Sequence, residues 1–159
     1  MSQIENQIAQ EIGYLVFIFN SLENTLDTIL FELLHPRTND FGKIITDGYS
    51  FSRKLSLLKK MYESYFDSLD DENGMEELKL ITGKINAINI KRNQIIHAAW
   101  EDYFYDDYEC TVRIKWKISK GKINELKIEP NPKSISKIRN EIESLDSRLY
   151  EFHEAHFYS

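Results

Sequence analysis

Several things are scarce in this chain. There is one cysteine, Cys110, in 159 residues. No internal disulfide can form, which fits a reducing, cytoplasmic setting. Alone at the start of a strand-like run, that thiol reads as buried and inert rather than nucleophilic. No run reaches the roughly 18 apolar residues a membrane span needs, so no membrane partner is expected. The N-terminal stretch MSQIENQIAQEIGY is acidic and amphipathic and lacks the basic start and apolar centre of a signal peptide. Positive charge is in deficit: 20 Lys and Arg against 26 Asp and Glu give a net charge of −6. That excludes a general nucleic-acid coat but leaves room for a local basic site, which a two-fold dimer would concentrate at its axis. His35, His153 and His156 have no metal-like spacing to Cys or acidic partners, so neither a zinc site nor another cofactor is expected.

What is present is helical periodicity. The composition, 42% hydrophobic and 29% charged, is that of a globular chain, and its length predicts one domain over residues 1–159. Residues 3–34 predict one long helix, with Leu15, Ile18, Leu22, Leu26, Ile29 and Leu33 as its apolar stripe and Phe19 and Leu30 widening it. His35-Pro36 ends it, because the residue before a proline is pushed out of the helical region. Residues 37–49 read as a loop with a short helical turn around Phe41–Ile45. Ser50 or Ser52 caps a second helix to about Leu69, apolar at Leu55, Leu58, Met61, Tyr62, Tyr65 and Phe66. Asp70 to Gly74 is a polar turn. A third helix follows from about Met75 to His97 or Ala99, with Leu78, Ile81, Ile85, Ile88 and Ile95 inward and Gly83 allowing a close helix contact or a bend. The fourth begins at Ser134 and runs to about Phe157, with Ile135, Ile138, Ile142, Leu145, Leu149 and Phe152 inward.

Between the last two helices the period changes. Cys110 to Ile118 alternates strictly, Val112, Ile114, Trp116 and Ile118 against Arg113, Lys115 and Lys117. Residues 119–122 are a turn and 123–128 a returning strand. The expected fold is thus mainly α: a four-helix bundle with a β-hairpin insert at about 103–129 before the last helix, its short loops favouring antiparallel neighbours.

The chemistry-bearing residues cluster at the end of the third helix, in Lys91-Arg92-Asn93-Gln94-Ile95-Ile96-His97. Arg92 supplies a permanently charged fork for a phosphate. Histidine is the side chain whose unperturbed pKa lies nearest neutrality, so His97 is a candidate to move protons. Asn93 and His97 are i and i+4, so the amide is placed to orient the imidazole. The same Arg-x4-His spacing recurs at Arg148 and His153, without an amide after the Arg; that copy reads as surface charge plus a partly exposed histidine.

The segment from Ile88 to Trp100, INIKRNQIIHAAW, resembles the signature of the HEPN domain family: Arg, four to six residues, then His, often with Asn after the Arg. The order of helices is also similar to that family's. The resemblance implies a helical bundle that dimerises so that two motifs face each other. It implies a metal-independent endoribonuclease of a toxin, antiphage or RNA-processing system, with Arg92, Asn93 and His97 as catalytic residues. Two positions depart from the pattern. Ala98 stands where glycine is frequent. Ala99 stands where one branch carries a tyrosine modified by a nucleotidyltransferase antitoxin, which puts that route of control in doubt.

Five residues separate Arg92 from His97, about 140° around a helix, so one copy does not readily close both on a single phosphate. A dimer supplies the second pair. His97 would then serve the ribose 2′-hydroxyl and the leaving 5′-oxygen, and Arg92 the transition-state charge. Lys91, Arg113, Lys115 and Lys117 are candidate RNA contacts, Glu23 and Asp27 candidate cleft-lining residues. Tyr103, Phe104, Tyr105 and Tyr108 read as packing residues. The expected partners are an RNA substrate, a second copy of the chain and a cognate antitoxin. The competing expectations are a non-catalytic nucleotide- or RNA-binding or dimerisation module, or an antitoxin or adaptor.

Overall fold

The computed structural model describes the backbone of residues 3–34, 40–105, 108–119, 122–128 and 132–157, and side chains over 6–34, 42–98 and 132–157. It is mainly helical. The elements in order are α1 (Gln3–Leu34), α2 (Asp40–Thr46), α3 (Phe51–Leu69), α4 (Glu72–Ile96), β1 (Ala99–Tyr105), β2 (Tyr108–Ser119), β3 (Lys122–Ile128) and α5 (Pro132–Phe157). Helices α1, α3, α4 and α5 pack as a ring in the order α1–α3–α4–α5, with α5 closing on α1.

The sequence specifies the ends of α3 and the start of α4 through their caps. Ser50 caps α3, its hydroxyl accepting from the Arg53 backbone N–H at 3.4 Å. At the other end Asp70 takes the left-handed conformation with φ 56°, and the Asp71 N–H reaches back to the Phe66 carbonyl at 3.1 Å. Two starts lie earlier than expected. Asp71 accepts from the Gly74 N–H at 3.0 Å, so the polar turn shrinks and α4 begins at Glu72 rather than Met75. Helix α5 begins at Pro132 rather than Ser134, because a first-turn proline loses no helical hydrogen bond and arrives with a helical φ.

The core is the inward stripe of four helices. Leu15, Phe19, Leu22, Leu26, Ile29 and Leu30 of α1 are fully buried, while Ile18 and Leu33 flank them. Phe19 and Leu30 are thus central to the stripe rather than its margin. Leu58, Tyr62 and Phe66 of α3, Leu78, Ile81, Ile85 and Ile88 of α4, and Ile142, Leu149 and Phe152 of α5 complete it. Each large apolar side chain buried this way contributes about 1.5–3 kcal/mol. Tyr65, expected inside, is 43% exposed. Gly83 faces open space, so it makes no close helix contact.

Chain direction departs from the short-loop expectation. Phe19 meets Phe51, Asp27 meets Lys54, and Glu32 and Tyr62 meet through one histidine. Residue numbers rise together, so α1 and α3 run parallel. Helix α2, between them in sequence, lies on α1. Its Gly42 sits where a Cβ would be 2.7 Å from the Phe31 Cα, which only glycine permits. Gly48, at φ 71°, then turns the chain into α3. Helix α4 runs antiparallel to α3 and α5, as the Asn89–Ser52, Lys91–Glu141 and Arg148–Glu77 contacts show.

Between α4 and α5 the backbone forms an antiparallel sheet of order β1-β2-β3, with Tyr105 opposite Tyr108 and Ser119 opposite Lys122. Strand β1 starts two residues after His97, earlier than the sequence pattern suggests. The expected apolar and basic faces of this segment, with Cys110, Arg113, Lys115, Lys117 and the aromatic residues from Trp100 to Tyr108, lie outside the residues whose side chains are described. No helix among the described residues is long and apolar enough to cross a membrane.

Candidate functional site

Helix α4 carries the motif and fixes where each part points. The buried stripe through Ile85, Ile88 and Ile95 turns α4 so that Arg92 leans across the bundle toward α1. Its guanidinium carbon lies 4.6 Å from the centre of the Phe19 ring, a cation–π contact. Phe19 in turn packs on Phe51 of α3, ring centres 4.6 Å apart. One Arg92 Nη donates to the Asn93 Oδ1 at 2.8 Å. The Nε is buried with no hydrogen-bond partner among the described residues. Burial pulls the Arg92 pKa below the ordinary arginine value, and the negative charge of Glu23 opposes that pull.

His97 is the C-cap of α4, with its backbone N–H donating to the Asn93 carbonyl at 3.0 Å, and its side chain is exposed. The expected Asn93–His97 orientation is replaced by a different pairing: the amide oxygen is held by Arg92. Among the described residues no hydrogen bond or ion pair joins Arg92 to His97, in keeping with their angular separation on the helix.

Glu23, whose charge reaches Arg92, and Asp27 lie one helical turn apart on α1 and meet the same cation. Lys54 of α3 reaches Glu23 at 3.1 Å and Asp27 at 2.7 Å. Burial lowers the Lys54 pKa, but hydrogen bonds to Asp27 and Glu23, and their charges, outweigh it and hold the ammonium above its ordinary value. The second Asp27 carboxylate oxygen is buried and has no partner among the described residues. Beside this group Asn89, buried on α4, donates to the Ser52 hydroxyl at 3.3 Å. Lys91 faces away from Arg92 and pairs with Glu141 on α5 at 3.2 Å.

In the sequence Phe19 reads only as part of the apolar stripe, and Lys54 carries no predicted role. The signal for Lys54 was present: it stands i−4 from Leu58 and i−8 from Tyr62, a charge on an apolar stripe. Such a charge needs a buried partner.

The second Arg-x4-His copy overturns its sequence reading. His153 is not partly exposed; it is 1% exposed. Its Nδ1 meets the Tyr62 hydroxyl and its Nε2 meets Glu32 at 2.7 Å, tying α5 to α3 and α1. Phe66, Phe152 and Phe157 surround the pair. Burial, then the charge of Glu32, pushes the Tyr62 phenol far above its ordinary range, so it stays protonated. Arg148 remains at the surface, 3.4 Å from Glu77. His153 also had a legible signal, since it is i+4 from Leu149 and falls on the inward face.

Compared with known proteins, the chain matches no family model, no curated protein and no solved structure.

Proposed function

We propose that the chain is a metal-independent endoribonuclease of the HEPN type, acting in the cytoplasm as a toxin or antiphage effector. The reading rests on the INIKRNQIIHAAW signature. The geometric observation that supports it is a preset arginine fork, Arg92 on Phe19 with Asn93 on one Nη, on the same helix that ends in an exposed His97.

In this reading two copies bring their α4 ends together over one RNA phosphate. His97 takes the proton of the ribose 2′-hydroxyl as its oxygen attacks phosphorus. The bond from phosphorus to the 5′-oxygen breaks, and an imidazolium returns a proton to that oxygen. The products are a 2′,3′-cyclic phosphate and a 5′-hydroxyl, and DNA is inert because it lacks the nucleophile. Arg92 stabilises the charge on the pentacoordinate transition state. Asn93 acts as a positioning residue for Arg92. The inserted hairpin offers Arg113, Lys115 and Lys117 to backbone phosphates, and a cognate antitoxin holds the dimer in check.

A second reading has its own observation. Arg92 is half-buried, stacked and hydrogen-bonded within its own chain, which is how a structural arginine behaves. The fold is then a non-catalytic binding or dimerisation module. Incubation of mixed RNA with the protein in EDTA separates the two. Cleavage leaving cyclic phosphate ends supports the enzyme; intact RNA at every protein concentration supports the module.

A further inference from the structure

A groove of about 560 Å³ lies between α4 and α5, on a different face of α4 from Arg92. That volume is within the range of small-molecule sites. Its floor is apolar, formed by Ala87, Ile88 and Leu145, and three lysines line it: Lys84 and Lys91 from α4, and Lys137 from α5. Lys84 and Lys91 are seven residues apart, two helical turns, so they share one face about 10 Å apart along the axis. Asn140 and Ser144 add neutral hydrogen-bonding groups, and Glu141 is the one acid in the lining. Three cations against one anion make this a local positive site on a chain whose net charge is −6.

The Lys91–Glu141 bridge crosses from one helix to the other, with both side chains well exposed, at 51% and 40%. An ion pair that open to water is weak, so it can exchange Glu141 for a better anion. No salt bridge engages Lys84 or Lys137 among the described residues. Burying an apolar floor while leaving cations on the rim suits one ligand chemistry: a phosphate group joined to an apolar body.

We infer that the α4–α5 groove binds a small phosphorylated ligand, its phosphates on Lys84, Lys91 and Lys137 and its ring or chain on Ala87, Ile88 and Leu145. The site is separate from the Arg92–His97 motif and does not rest on the ribonuclease reading. The chemistry is shared by nucleotides and by short phospholipids.

Calorimetric titration of the full chain at physiological salt tests it, with ADP, dihexanoyl phosphatidic acid and inorganic pyrophosphate as probes. One of the two amphiphilic probes should bind at least about tenfold more tightly than pyrophosphate, and the tighter of them names the source. Amide shifts in nuclear magnetic resonance spectra should centre on Ala87 and Ser144. Lys84→Glu and Lys137→Glu should each weaken binding about tenfold, because each places a carboxylate where a charge-assisted hydrogen bond was made. Lys60→Glu, on the exposed side of α3, should bind as wild type does. Absence of binding by both amphiphilic probes would overturn the inference. So would pyrophosphate binding as tightly as either, or equal binding by the charge-reversed groove variants.

Discussion

The chain uses the Arg-x4-His spacing twice, and the two copies are turned inside out relative to each other. In the first, Arg92 leans into the bundle and His97 is exposed; in the second, Arg148 is at the surface and His153 is buried. Helix geometry requires such a split. Five residues turn the helix by about 140°, so a helix packed along one side buries at most one of the pair. The environments differ accordingly. Around His153 both ring nitrogens have partners, which makes a closed polar clasp between three helices. At the first copy the Arg92 Nε lacks a partner among the described residues, and the His97 imidazole is exposed. Identical spacing thus gives a structural clasp at one end of the bundle and an open polar centre at the other.

The sharpest way to break this contrast is His153→Ala. It removes a filled core volume and takes the His153 ring from the buried Tyr62 hydroxyl, at an expected cost of about 3 kcal/mol in urea unfolding. Tyr62→Phe should cost about 1 kcal/mol, since it removes one hydrogen bond to the His153 ring and keeps the packing. His97→Ala, on the exposed side of the contrast, should leave the urea midpoint within about 0.5 kcal/mol of wild type. Equal losses for His97→Ala and His153→Ala would contradict the distinction between the two copies.

Lys54→Met probes the open centre. It leaves Glu23 and Asp27 close together without their cation, and about 2 kcal/mol of stability should be lost. The pH dependence follows from the raised Lys54 value. A cation whose folded pKa lies above its unfolded value contributes fully below the unfolded value, and loses that contribution as pH rises through the folded one. The difference between wild type and Lys54→Met should therefore hold steady from about pH 6 to 9 and shrink only in strongly alkaline buffer. A difference that vanished near neutrality would show that Lys54 is not held by the two carboxylates.

A small gain is expected at a helix end. Asp70 occupies a left-handed position that suits glycine better, so Asp70→Gly should stabilise the chain by about 0.5 kcal/mol in the same assay.

Much of the helical frame is legible in the sequence because burial and capping are local signals. The stripe of α4 follows from spacing alone, and residue type narrows the α3 cap to Ser50 or Ser52. Chain direction is not legible in that way. The parallel run of α1 and α3 shows only in contacts between elements, as does the seat of α2 on α1 at Gly42 and Phe31. The site divides along the same line. Arg92, Asn93 and His97 stand together in the sequence, whereas Phe19, Lys54 and Glu23 join them only through packing. The Arg-x4-His spacing points His153 to the surface, whereas its place four residues after Leu149 puts it on the buried face.

The most direct measurement is cleavage of a mixed RNA substrate in EDTA by wild type, Arg92→Ala, His97→Ala and His153→Gln, each shown folded by circular dichroism. The account predicts cyclic phosphate ends from wild type and from folded His153→Gln, with losses of at least about a hundredfold in Arg92→Ala and His97→Ala. Undiminished cleavage by His97→Ala, or no cleavage by wild type on any RNA, would contradict it.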